Sequence, residues 1–182
     1  FTFNGFQENS YVLFDETKEC IIIDPGCYEK HEKEQLSDFI EENDLRPVKL
    51  LNTHCHIDHV LGNLFVAKKW NLKLEMHFND LPTLKSVQDY CKVYGFHEYE
   101  LSPEPAVFLN ENDKIQFGIS TLNVLFTPGH APGHIVFHSE EQSFVIGGDV
   151  LFQNSIGRTD LPGGDFDTLI ASIKTKLFTL ND

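Results

Sequence analysis

Basic residues are scarce in this chain of 182 residues: 14 lysines and arginines stand against 28 aspartates and glutamates, a net charge of −14. A phosphate backbone calls for a basic face, so the balance argues against a nucleic-acid partner. Most of the acidic excess reads as ordinary solubility, with a part available to offset a bound divalent metal. Long apolar runs are missing as well. None approaches the roughly 20 residues of a membrane-spanning helix, so no membrane partner is expected. The opening Phe1-Thr2-Phe3-Asn4-Gly5 has neither a basic start nor an apolar core and does not read as a signal peptide. It also lacks a methionine, which leaves room for a native start upstream. The four cysteines, Cys20, Cys27, Cys55 and Cys91, include no CxxC pair. They read as reduced thiols of a cytoplasmic protein. A hydrophobic content of 41% is enough for one sizeable core, and residues 1–182 read as a single domain.

Histidines and turn residues, in contrast, are concentrated. In Asn52-Thr53-His54-Cys55-His56-Ile57-Asp58-His59, three imidazoles and a carboxylate occupy six positions from 54 to 59. His54 and His56 are two apart, so on an extended strand end they project to the same side. Asp58 and His59 follow where the apolar run Val60 to Ala67 suggests that a helix begins. A strand-to-helix turn of this kind can aim four ligand atoms at one small volume. Imidazole nitrogen and carboxylate oxygen suit zinc, and also iron, nickel or manganese. Cys55 lies between two ligand candidates, but alternation turns it away from His54 and His56, which reads as a packed thiol.

The rest of the pattern gives the scaffold. Tyr11–Phe14 and Cys20–Ile23 read as strands joined by a polar turn, and His31–Glu42 as an amphipathic helix. Val48–Leu51 is a short buried strand that delivers the histidine cluster. A helix over Val60–Trp70, a strand near Lys73–Met76 and a helix over Leu81–Tyr94 follow. After a polar connection from Gly95 to Pro105 come strands at 106–109, 114–117, 122–126, 135–138 and 143–146, then a last helix over Phe166–Leu177. This order predicts an α/β (α+β) chain with sheets packed face to face and helices outside.

Two further motifs close strands of the second half: Thr127-Pro128-Gly129-His130-Ala131-Pro132-Gly133-His134 and Gly147-Gly148-Asp149. Strand ends on a rigid scaffold are where ligands are best presented, and glycine admits close backbone approach. A Gly-Gly-Asp alone is usually just a turn. Beside the 54–59 cluster, which supplies only part of two metal shells, it gains weight.

Together, Thr53–His59, Thr127–His130 and Gly148-Asp149 resemble the metal motifs of the metallo-β-lactamase fold superfamily, most nearly its glyoxalase II-like (hydroxyacylglutathione hydrolase-like) branch. Phe6–Tyr11, Ile22–Gly26 and Ser155–Asp160 support the resemblance, which covers nearly the whole chain. It implies a four-layer αβ/βα sandwich with a binuclear site at one sheet edge. His54, His56 and His130 would hold the first metal, Asp58 and His59 the second, and Asp149 would bridge them. Asp58 and Asp149 are the expected catalytic carboxylates. His134 falls outside this ligand set, and Asp24 is expected to orient the histidine loop by hydrogen bonds. The family's second metal normally takes one more histidine, from beyond the last helix. The chain ends at Leu180-Asn181-Asp182, so a missing C-terminal strand is expected.

A metal-bound water loses its proton near pH 7, and two metals can share the resulting hydroxide while polarising a carbonyl. The resemblance therefore implies a Zn2+-dependent hydrolase of a small-molecule thioester or related ester, with iron or manganese as alternative metals. An iron-dependent persulfide dioxygenase using His54, His130 and Asp149 is the main rival. A non-enzymatic metal-binding or redox-partner domain is the rival from another class. Arg158 with Asp160 reads as an ion pair, Asp80 beside His77 as a helix cap, and His31 and His97 as surface residues.

Overall fold

Alternation decides which layer each residue serves. In β4 (Glu19–Ile23) of the computed structural model, which describes residues 1–181, Ile21 and Ile23 join one buried cluster and Ile22 another. The first cluster lies between two sheets. Ile21, Ile23 and Leu51 meet Ile115, Phe117, Leu122, Val124, Ile135 and Phe137 there. In the second, Ile22, Leu50, Leu74 and Met76 pack beneath Leu36 of α1 (Lys30–Glu42), Val66 of α3 (Asn63–Trp70) and Leu84 and Val87 of α4 (Leu81–Tyr90). A third cluster places Leu169 of α5 (Phe166–Ser172) and Ile173 over Val136 and Val150. Helices therefore cover both outer faces, giving the four-layer αβ/βα sandwich expected from the element order. Each fully buried aliphatic side chain in these layers contributes about 1.5–3 kcal/mol.

The first sheet has five strands in the order β3 (Tyr11–Phe14), β4, β5 (Arg46–Leu51), β6 (Leu74–Met76) and β7 (Val107–Phe108). β3 runs antiparallel to β4, and the other neighbours are parallel. The second sheet is antiparallel, with β11 (Phe144–Ile146), β10 (Ile135–Ser139), β9 (Ser120–Phe126) and β8 (Lys114–Phe117) side by side. Parallel strands finish at a common edge. Thus β4 runs into Asp24, β5 into Asn52–His59 and β6 into His77–Asp80, while β9 runs into Thr127–His134 and β11 into Gly147–Asp149. All the motifs therefore emerge at one end of the sandwich.

Several elements depart from the sequence reading. The helix expected over Val60–Trp70 is broken into α2 (Ile57–Val60) and α3. The cause is Gly62, whose N–H donates to the Pro25 carbonyl at 2.7 Å. A side chain at Gly62 would meet the Cys27 sulfur at 2.5 Å, so only glycine lets the chain pass that close. The helix expected to reach Tyr94 ends at Tyr90 and tightens to a 3₁₀ turn over Cys91–Tyr94, stopped by Gly95 at φ +89°. The last helix closes in a π-helical turn, Ile173–Leu177. Two hairpins escaped the sequence reading: β1 (Thr2–Phe3) with β2 (Glu8–Asn9), and β12 (Leu151–Phe152) with β13 (Ser155–Ile156). Their strands are two residues long, too short for period-2 alternation to register. None of the helices among the described residues is long and apolar enough to cross a membrane.

At the far end of the sandwich, Asp15 ties the β3–β4 turn to the β8–β9 turn. Its carboxylate accepts from the N–H of Thr17, Ile119 and Ser120 and from the hydroxyls of Thr17 and Ser120. The Thr17 hydroxyl, followed by the backbone N–H groups, holds its carboxyl at about 2 against an ordinary 3.8. A depressed carboxyl stabilises the fold above its unfolded value, and that contribution disappears as pH falls through the folded one. Asp15→Asn should therefore be less stable than the parent at pH 6, and the gap should narrow between about pH 4 and pH 2. Urea denaturation of both proteins across that range measures it; a gap independent of pH would show that the strap is not ionic.

Candidate metal centre

The geometry is set by Asp24, which is fully buried at the end of β4. One carboxylate oxygen accepts from Thr53 N at 2.7 Å and Asn52 Nδ2 at 3.3 Å. The other accepts from the Thr53 hydroxyl at 2.6 Å and lies 3.1 Å from His59 Nδ1. These bonds fix the ring nitrogens in turn. Because the Thr53 hydroxyl spends its proton on Asp24, it accepts from His54 Nδ1 at 3.1 Å. His54 Nε2 is then bare. His130 Nδ1 donates to the Arg158 carbonyl at 2.7 Å, which leaves His130 Nε2 bare as well. The two bare nitrogens face each other at 3.2 Å, and His56 Nδ1 stands 2.9 Å from His130 Nε2. Two bare nitrogens at this spacing repel unless a cation or a proton sits between them, and His56 Nδ1, in its Nε2–H tautomer, would be a third donor to such a cation. A tetrahedral ion with nitrogen ligands at 2.0–2.1 Å would set their separations at about 3.3 Å. The donor set therefore fits a metal.

Burial pushes His54 well below the usual imidazole range, brings His56 to about 3 and lowers His130. All three are neutral at pH 7, the form that ligates. His59 is the exception. Burial pulls its pKa down, but the Asp24 carboxylate, then Asp149 and Asp58, outweigh that and hold it well above the usual range. With Nδ1 committed to Asp24, its Nε2 faces Asp58 at 3.6 Å and Asp149 at 3.5 Å. Asp149 thus has one oxygen toward His59 and the other 3.6 Å from His130 Nε2, between the two groups of donors. Burial raises the Asp149 carboxyl, but the hydrogen bond and charge of His59 overcome this and hold it at about 2.

The structure thus brings His54, His56, Asp58, His59, His130 and Asp149 to one volume. It also separates His134 from them. His134 Nε2 accepts from Asp149 N at 3.1 Å, and its Nδ1 faces the Thr127 hydroxyl at 3.3 Å. Both nitrogens are occupied, and the ring stacks on His54 with centroids 4.7 Å apart. Cys55 is turned away as alternation requires, its sulfur 3.6 Å from that of Met76. All four cysteines are free and buried. Arg158 and Asp160 form an exposed bidentate ion pair, with both contacts at 2.7 Å. His31 and His97 are exposed.

One reading fails. Asp80 stands before α4, but its side chain makes no cap bond to that helix. The cap belongs to His77, whose Nδ1 accepts from Asn79 N at 3.1 Å at the start of the 3₁₀ turn Phe78–Asp80. Sequence reasoning also passed over Glu8, Ser10 and Asn4. The Ser10 hydroxyl accepts from Gly26 N and lies 2.7 Å from the Asp24 carbonyl and 2.8 Å from Glu8 Oε2. The one hydroxyl proton is shared between these two oxygens, and burial, the dominant influence, raises the Glu8 pKa well above the ordinary value. The Asn4 amide donates to the carbonyls of Gly26 and Asp58, both at 3.0 Å. Glu8 and Ser10 lie in the Phe6–Tyr11 stretch that supports the family resemblance, but nothing local assigned them these partners.

A family model described as the Metallo-beta-lactamase superfamily matches residues 3–181. Among characterised and named relatives, the chain is 38% identical over 177 residues to the probable metallo-hydrolase YqgX of Bacillus subtilis, covering 96% of this chain and 80% of that protein. It is 37% identical over 179 residues to the hydroxyacylglutathione hydrolase GloC of Haemophilus influenzae, covering 98% and 82%. Mouse mitochondrial persulfide dioxygenase ETHE1 is 34% identical over 172 residues, covering 94% of this chain but 59% of that one. In structure, the chain is similar to the BLEG-1 B3 metallo-beta-lactamase, with a TM-score of 0.88, 32% identity and coverage of 100% and 85%. It is also similar to TTHA1623 in a di-iron-bound form, with a TM-score of 0.86, 34% identity and coverage of 98% and 85%.

The nitrogen assignments separate two neighbouring histidines. His130→Ala should lose bound zinc, whereas His134→Ala should keep it and lose only stability, by about 1–3 kcal/mol for the buried bonds removed. Metal content after gel filtration, together with urea denaturation, measures both. Equal zinc loss in the two variants would mean that the wrong histidine has been assigned.

Proposed function

The chain belongs to the metallo-beta-lactamase superfamily, whose members are mostly hydrolases, and from this premise we propose that it hydrolyses a thioester of the hydroxyacyl-glutathione type. His54, His56 and His130 would hold one metal, Asp58 and His59 a second, with Asp149 shared. When bound, divalent metals acidify water and polarise a carbonyl. The observation that carries the reading is the position of Asp149, with one oxygen toward His130 and the other toward His59. A single-iron oxygenase needs only two histidines and one carboxylate. It would leave His56, Asp58 and His59 outside the ligand set.

The chain's own groups do the positioning. Asp24 orients His59 directly and His54 through Thr53, so that both aim Nε2 at the site; His59 would give up its Nε2 proton on binding a metal. Asp58 and Asp149, with His56, are the partly exposed members of the set. The two carboxylate side chains are 20% and 29% accessible, so they meet incoming water and substrate. Both can orient a water, and Asp58, whose carboxyl pKa burial raises above its ordinary value, is the better acceptor for its proton. The exposed rings of Phe6 and Tyr94 stand 5.6 Å apart and offer an apolar ledge, while the Arg158 carbonyl touches His130 and the Arg158 guanidinium is paired with Asp160. The di-iron-bound relative supports iron as an alternative to zinc in the same donor set.

Hydroxyacyl-glutathione hydrolysis should vanish on chelation and return with added zinc. Asp149→Ala should lower kcat/KM by more than about 100-fold, because loss of groups one layer further out already costs 10–100-fold. Oxygen uptake with glutathione persulfide, without thioester cleavage, would overturn the proposal in favour of the dioxygenase.

A further inference from the structure

Asp80 lies outside the donor set and is fully buried. One of its carboxylate oxygens accepts from Cys55 N at 2.6 Å, the other from Gly133 N at 2.7 Å. Cys55 is the residue between His54 and His56. Gly133 lies in the turn that carries His130. The carboxylate therefore joins two loops whose imidazoles must meet, although they stand 25 and 53 residues from it in sequence. The loops share one direct backbone bond, from Ile135 N to the Thr53 carbonyl, on the strand side of the site. Asp80 supplies the connection on the other side. Contact is so close that a side chain at Gly133 would meet Asp80 N at 2.4 Å and Asp80 Cβ at 2.7 Å. A buried carboxylate is costly unless it is hydrogen-bonded, and this one makes no cap bond to α4, so its presence here calls for a reason.

We propose that Asp80 is a positioning residue for the metal centre: by holding the Cys55 and Gly133 N–H groups on its two oxygens, it sets the gap between His130 and the His54–His56 pair. This rests on reading those histidines as metal ligands. It touches neither metal nor substrate, and it acts through the backbone of the loops. An amide in its place offers one acceptor and turns an N–H toward the second backbone N–H, so one loop is released.

The test is zinc affinity, measured by competition with a chromophoric chelator on the folded chain. Asp80→Asn should bind zinc at least about 10-fold more weakly, as removal of an orienting partner does. At saturating cobalt its visible spectrum should differ from the parent's, because the ligand geometry is altered. Asp15→Asn breaks a similar two-loop strap at the far end and should leave both readouts unchanged, which separates positioning from general loss of stability. Gly133→Ala pushes the same loop off an intact Asp80 and should match Asp80→Asn; it decides the matter if Asp80→Asn does not fold. Parental zinc affinity and cobalt spectrum in either folded variant would overturn the inference. Failure of the parent itself to bind zinc would instead overturn the metal reading, and this inference with it.

Discussion

Everything at this end of the molecule depends on the buried carboxylate of Asp24. It sits at the end of β4 at φ +48°, a left-handed conformation that aspartate tolerates better than most residues. From there it takes hydrogen bonds from Thr53, Asn52 and His59. A buried anion without such partners would cost several kcal/mol. With them, it passes its constraint outward, because each bond settles which nitrogen of the next ring carries hydrogen. The Thr53 hydroxyl relays this to His54, and His59 is oriented directly. Ligand geometry in this site is therefore a consequence of proton accounting in the layer behind it.

The same accounting explains how so many ionisable groups share one small volume. Neutral imidazoles, a Glu8 carboxyl whose pKa burial raises, and the His59–Asp24–Asp149 charge cluster limit the number of uncompensated charges there. Repulsion remains where the bare nitrogens of His54 and His130 face one another. A cation relieves that repulsion, and the oxygen-facing geometry of Asp149 extends the arrangement to a second one.

The layers and the donor cluster were legible in the sequence because both write strong local signals. The short apolar run Cys20–Ile23 and the His-x-His-x-Asp-His spacing each state their geometry within a few residues. What escaped was of two kinds. The hairpins at Thr2–Asn9 and Leu151–Ile156 are too short to show a period. Glu8, Asn4 and Asp80 act on partners 16 to 54 residues away, directly or through Ser10, and no local pattern records such distances. Asp80 is the instructive failure. Its place before a helix made capping the natural expectation, yet its carboxylate serves two loops that only the tertiary fold brings near. Gly62 misled in the opposite sense, since its neighbours are good helix formers and the break comes from contact with the 25–27 loop.

The central claim is that three imidazoles and a shared carboxylate form the metal centre while the thiol of Cys55, the residue between two of them, faces the core. X-ray absorption at the zinc edge of the loaded protein tests this most directly. The account predicts nitrogen and oxygen neighbours at about 2.0–2.1 Å with imidazole outer-shell scattering, and no sulfur. A sulfur neighbour at about 2.3 Å would contradict it.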